Sequence, residues 1–229
     1  MKYVVLWLLM VGALALAQTI AAVDKLITDG KFQEAYDAGL KLGDASGLVL
    51  AAKGASLYAS YVARDNEKAD WFGKAEAAAK KAIQADNANP EAYFELARAQ
   101  GRLAQYRGIL DSLGLANSIK EALDKTLRLN PKHAGAKVAL ALWHQSLTSK
   151  GVGWLYGANG GAVGPLFQEA IALEPNTIIH KVEYAGVLAQ QGKKDEARKQ
   201  YEAALAIAPA TAADRFDLER AKRELAALK

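Results

Sequence analysis

Apolar residues recur at three- and four-residue intervals along most of this chain, in blocks separated by short turns rich in glycine, proline, Asp and Asn; this is the pattern of amphipathic helices. The blocks predict helices over 19–29, 31–43, 47–63, 66–86, 90–105, 118–129, 133–149, 165–173, 178–191 and 194–207, with a terminal helical segment over 211–229. Abundant alanine and only five prolines favour long helices that pack closely through small side chains. A sheet-rich fold is disfavoured.

The helical blocks also repeat. Residues 178–209 read as two helices joined by Gln191-Gly192-Lys193, and on the 34-residue frame they resemble a tetratricopeptide repeat (TPR). Tyr184 and Leu188 take large positions, Ala185 a small one, and Ala197, Tyr201 and Ala204 the small, aromatic and small positions of the second helix, closed by Pro209. Lys181 stands where the first aromatic is expected. Leu140-Ala141 and Leu96-Ala97 repeat the pair upstream, and Gly54, Leu57 and Tyr61 continue it more weakly. The resemblance implies an all-α, right-handed superhelical solenoid of antiparallel helix pairs. Weak repeats fill 18–88 and clearer ones 89–209, with a capping helix over 211–229 that carries a Leu218, Ala221, Leu225 and Leu228 stripe.

Proline-to-proline spacing is 209 − 175 = 34 for the last unit but 175 − 131 = 44 and 131 − 90 = 41 before it, so two insertions are present. One covers about 106–117, ahead of a second helix that a Ser118/Glu121 capping box would open. The other covers about 150–164 and places Trp154, Leu155 and Tyr156 among glycines with no charge after Lys150. Such a stretch either folds its aromatics onto the solenoid as a plug, meets a ligand, or meets a membrane. Packing is the favoured reading, since apolar loop residues are usually buried.

The first 17 residues stand apart: Lys2, an apolar run from Tyr3 to Leu16, and Ala15-Leu16-Ala17 read as a signal peptide cleaved before Gln18. The mature chain is expected to have no transmembrane span and to be periplasmic or secreted. Without Lys2 the balance is 28 basic to 25 acidic side chains (29 − 1 against 25), interleaved along the helices, so nucleic acid is not an expected partner. The absence of cysteine excludes disulfides, thiol catalysis and cysteine-ligated metals. His133, His144 and His180 show no ligand spacing, and His133 and His180 fall where first helices begin, as capping or solvated residues. Gly157-Ala158-Asn159-Gly160-Gly161 lacks the lysine and hydroxyl ending of a phosphate loop.

From Asn89 to Leu228 the order is a proline-closed helix, Leu142-Trp143-His144-Gln145-Ser146-Leu147, Gly153-Trp154-Leu155, a complete TPR and a helix from Asp214 to Leu225. It resembles the TPR domain of the regulator-of-microtubule-dynamics family and its bacterial periplasmic relatives. Some members of that family bind and transfer phospholipids, so the resemblance implies a lipid groove as one option.

The expected function is non-enzymatic binding, with no cofactor and no metal: a concave groove holding a peptide or protein partner. Repeat register nominates Tyr93, Arg98, Arg102, Lys137, His144 and Lys181 for the groove, with Glu95, Gln145, Glu183 and Gln190 beside them. The alternative is a carrier of a lipid or other amphiphile in an apolar tunnel, with Trp154, Leu155 and Tyr156 as lid or lipid contacts and Leu110, Leu113 and Leu115 in the wall.

Overall fold

The computed structural model describes residues 19–104, 106 and 109–228; the leader over 1–17 lies outside them. Helices α1 (19–28) and α2 (Phe32–Leu42), α3 (Ala45–Tyr61) and α4 (Asp65–Ala85), and α5 (Pro90–Leu103) and α6 (Ile109–Leu129) form successive hairpins. Next come α7 (Ala134–Ser149), the short α8 (Gly153–Tyr156), a 3₁₀ turn and α9 (Val163–Leu173). The last hairpin, α10 (Ile178–Gln190) and α11 (Lys194–Leu205), precedes α12 (Ala212–Ala227). Each second helix packs against the first helix of its own pair, and α3, α5, α7 and α10 contact one another in succession.

Capping residues set several boundaries. Asp44 accepts from the Gly47 amide at 2.7 Å, Asn89 from Glu91 at 3.0 Å ahead of Pro90, and His133 Nδ1 from Ala136 at 3.1 Å. Thr211 and Asp214 exchange bonds in a reciprocal capping box at the start of α12. The expected TPR positions Tyr184, Ala185, Leu188, Ala197, Tyr201 and Ala204 are all buried in one core. Lys181, at the missing aromatic position, is buried and donates to the Pro175 carbonyl.

Two expectations are corrected. The stretch over 106–117 is no inserted loop, because α6 begins at Ile109. Leu113, Ala116, Ile119 and Leu123 share one core, so the apolar stripe runs unbroken through the supposed boundary. Ser118 therefore sits inside a helix, and its hydroxyl donates to Gln100 Oε1 at 2.9 Å instead of capping. The plug reading of the second insertion, Trp154 with Tyr156, holds for Tyr156, which packs against the core, and fails for Trp154 at 79% exposure; Leu155 is 57% exposed. A helix of one turn cannot bury all its sides; α8 turns Gly153 and Tyr156 inward and the other two outward.

The early hairpins pack through very small residues. Ala51, Ala52, Ala55, Ala59, Ala75, Ala79 and Ala82 are fully shielded from solvent. A Cβ at Gly39 would lie 2.5 Å from the Gly47 carbonyl oxygen and 2.8 Å from the Ala51 amide, and one at Gly54 would lie 2.8 Å from the Phe32 carbonyl. These neighbours are backbone atoms that cannot rotate away. Gly39→Ala is therefore expected to cost about 1–3 kcal/mol despite the better helix propensity of alanine. Gly73→Ala in α4, which meets nothing within 4 Å, should stabilise by up to about 1 kcal/mol. Urea unfolding of both variants measures the contrast, and equal midpoints would disprove the close approach.

Candidate functional site

The concave side holds a cavity of about 290 Å³. Its walls are continuous faces of three first helices. Phe94, Ala97, Arg98, Gly101 and Arg102 come from α5; Gly135, Val138, Ala139, Leu142, Trp143, Ser146 and Leu147 from α7; and Ile179, His180 and Glu183 from α10. Each set follows the three-and-four spacing of one helix face. Leu113, Ala116 and Ile119 of α6 contribute from the second-helix layer, and Lys150 stands at the end of α7. The Trp143 indole is fixed by donating to the Ala116 carbonyl at 2.9 Å. Gly101 faces the cavity with nothing within 4 Å of where a Cβ would be.

The charged part of the wall is a three-helix ion cluster. Glu183 accepts from Arg102 at 2.9 Å and from Arg220 of α12 at 3.2 Å. Burial would raise the Glu183 carboxyl, but the two guanidinium charges outweigh it and hold it below the ordinary glutamate value. Glu95 is 2% exposed beside Arg98, and there burial wins and pushes the carboxyl up. Arg98 donates to the Lys53 carbonyl, while its Nε is buried with no protein acceptor. His180 is buried, not capping or solvated as its position implied; burial lowers its pKa and its Nδ1 has no protein partner.

The concave side is not open along its whole length. Helix α12 packs on α10 and α11, where Tyr201 donates to Glu224 at 2.6 Å, and it also reaches the first repeats. Phe216 stacks on Tyr61 with centroids 5.1 Å apart, the Tyr61 hydroxyl donates to Asp217 at 2.9 Å, and Ala212 joins the core of α1 and α2. Burial pushes the Asp217 carboxyl up to about 6, against the opposing pull of Arg220 and the Tyr61 hydrogen bond.

Of the residues nominated from register, the structure brings Arg98, Arg102 and Glu183 together at the cavity. The others point elsewhere: Tyr93 donates to the Asn87 carbonyl, Lys137 pairs with Glu169 of α9 at 2.7 Å, and Lys181 is turned to Pro175. His144 accepts from the Asn159 amide at 3.0 Å, which ties α7 to the insertion. Leu113 lines the cavity, Leu115 and Tyr156 pack in the core behind it, and Leu110 lies outside the described side chains. Trp154 and Leu155 are absent from the cavity wall. Sequence reasoning missed Trp143, His180 and Arg220. The first two lie on the same helix faces as Ala139 and Glu183; the position of Arg220 depends on α12 folding back. Among the described residues no His/Cys/Asp/Glu cluster suits a metal, and no helix is long and apolar enough to cross a membrane.

The family model described as Regulator of microtubule dynamics protein 1-3 matches residues 19–154, more than half of the chain. That range takes in the weak repeats and ends inside Gly153-Trp154-Leu155, whereas the sequence pattern placed the resemblance over 89–228. The crystal structure of TTC0263, a thermophilic TPR protein of Thermus thermophilus, superposes with a TM-score of 0.67 at 20% identity, covering 91% of this chain and 99% of that one. The crystal structure of MamA gives 0.46 at 20% identity over 87% of this chain and 96% of its own. No curated protein matches the sequence. The fold is that of an all-α TPR solenoid.

Two outcomes follow from the ion cluster. Glu183→Gln strands the Arg102 guanidinium and leaves Arg220 only its 4.0 Å contact with Glu224, and is expected to lose about 3–5 kcal/mol in chemical denaturation at neutral pH. That deficit should shrink as pH falls through the depressed Glu183 pKa, where the native side chain is itself neutralised. Asp217 has the opposite sign. Its folded pKa lies above the unfolded value of 3.8, so ionising it destabilises the fold, and its stabilising effect declines as pH rises from about 4 to about 6. Asp217→Asn keeps an acceptor for Tyr61 without this titration, so wild type should lose on the order of 2–3 kcal/mol relative to the variant across that window. Parallel pH-dependence for the two proteins would refute the assignment.

Proposed function

This chain belongs to the regulator of microtubule dynamics protein 1-3 family, and from that premise we propose that it is a non-catalytic binding protein of the cell envelope whose concave cavity seats an apolar segment of a polypeptide partner. The observation that carries the reading is the cavity itself. Three first helices align their inner faces around about 290 Å³ of mostly apolar space, at the small end of ligand pockets, which run to ~300–1,000 Å³. That volume suits one or two anchoring side chains. Arg98 and Arg102 border the space and place guanidinium groups beside a backbone carbonyl or carboxylate of the same segment. The apolar run followed by Ala15-Leu16-Ala17 supports export, and the lack of cysteine fits any redox compartment.

A second reading has its own observation in favour: the apolar wall with Arg98, Arg102 and Lys150 bordering it also suits an amphiphile with a single chain and an anionic head. Both readings use the same space.

Gly101→Leu fills that space from a position with no neighbouring atoms and improves helix propensity, so it should block the cavity without loss of thermal stability. In a pull-down from an envelope extract, the native chain is expected to retain a polypeptide that Gly101→Leu does not. Native mass spectrometry of the purified chain discriminates the second reading, which requires co-purified lipid that disappears in the same variant. Polypeptide capture by the Gly101→Leu variant equal to that of the native chain would remove the cavity from the function.

A further inference from the structure

All first helices of a stacked hairpin array point the same way, so the turns that follow them line one edge of the molecule. Among the described residues, the large apolar side chains left exposed are concentrated there. Val62 follows α3, Tyr106 follows α5, and Trp154 and Leu155 follow α7, at 50, 44, 79 and 57% exposure. Phe216, 41% exposed, stacks on Tyr61 at the end of α3 and joins the same edge. Among the described residues the opposite edge carries Leu129 and Leu173, at 37 and 39%.

We infer that this edge docks on a lipid bilayer, with Trp154 and Leu155 as the inserted knob. The shape argues for lipid over protein. A polypeptide hot spot clusters at one centre ringed by groups that exclude water; here the exposed apolar groups are strung along an edge, from the end of α3 to α8. A bilayer accepts such groups wherever they fall, and indole and phenol rings settle at the headgroup level. The knob is a single turn of helix bounded by Gly151 and Gly157, both at positive φ, so it projects from the α7–α9 pair. Residues 150–164 contain no carboxylate. Lys150 at the base of the knob presents positive charge to anionic headgroups, and the turn after α10 is balanced, Lys193 and Lys194 against Asp195 and Glu196. The exposed carboxylates of the turn after α3 are paired, Asp65 with Lys68 at 2.7 Å and Glu67 with Arg64.

The chain has no cysteine, so Leu155→Cys in the full chain gives a unique site for an environment-sensitive fluorophore. Asn87→Cys, in the exposed turn between α4 and α5 on the opposite edge, is the control. The probe is vesicles of phosphatidylcholine and phosphatidylglycerol mixed about three to one. At position 155 the emission should shift to shorter wavelength, rise about twofold or more, and be quenched by lipid-borne spin label, while position 87 stays aqueous. Adding Trp154→Ser to the labelled chain should raise the lipid concentration for half-response about tenfold. Silence at 155, or equal responses at 155 and 87, overturns the inference. A response at 155 that needs an added envelope polypeptide instead of vesicles overturns it too, and assigns the knob to a protein partner. Because the readout is local, an apolar leader does not mimic it, and Gly101→Leu should leave it unchanged whatever becomes of the cavity reading.

Discussion

Helix backbones in this protein approach one another as closely as a missing or minimal side chain allows, and the rest of the architecture follows from that distance. At Gly39, Gly47 and Gly54 the backbones of α2 and α3 nearly touch, and the alanines of α3 and α4 extend the contact. The closest approach, α2 against α3, joins two successive hairpins, while the largest buried side chains, among them Tyr201, Phe167, Leu123 and Phe32, fill the cores elsewhere in the stack. The inner faces of α5, α7 and α10 line the space that forms the cavity.

What could be read from the sequence divides along the same line. Small and large residues at fixed intervals are local signals, and they located most of the helices, the cap at Thr211 and the buried set of the last repeat. Capping chemistry misled at Ser118, because a hydroxyl with a glutamate three residues on reads alike at a helix start and in a helix interior facing Gln100. The apolar stripe through Leu113, Ala116 and Ile119 was the stronger signal, and it was legible.

The candidate site was harder, since a groove is chosen by rotation about each helix axis. On α5 repeat register selected Arg98 and Arg102, which line the cavity. On α7 it selected Lys137 and His144, which turn to Glu169 and Asn159, whereas Val138, Leu142 and Trp143 face the cavity. Polar residues were sought for a binding groove, and the wall is mainly apolar. Arg220 and Asp217 were beyond sequence reading for another reason: their partners Glu183 and Tyr61 lie 37 and 156 residues away.

That last separation gives the chain a property that open helical arrays lack. In a linear stack each unit touches only its neighbours, and melting can start at either exposed terminus and travel inward. Here α12 rests on both the first and the last hairpins, so the two termini of the stack are joined through one helix. A front of unfolding must first release α12, so the array is expected to come apart more cooperatively than an open stack, more like a closed ring than a ladder.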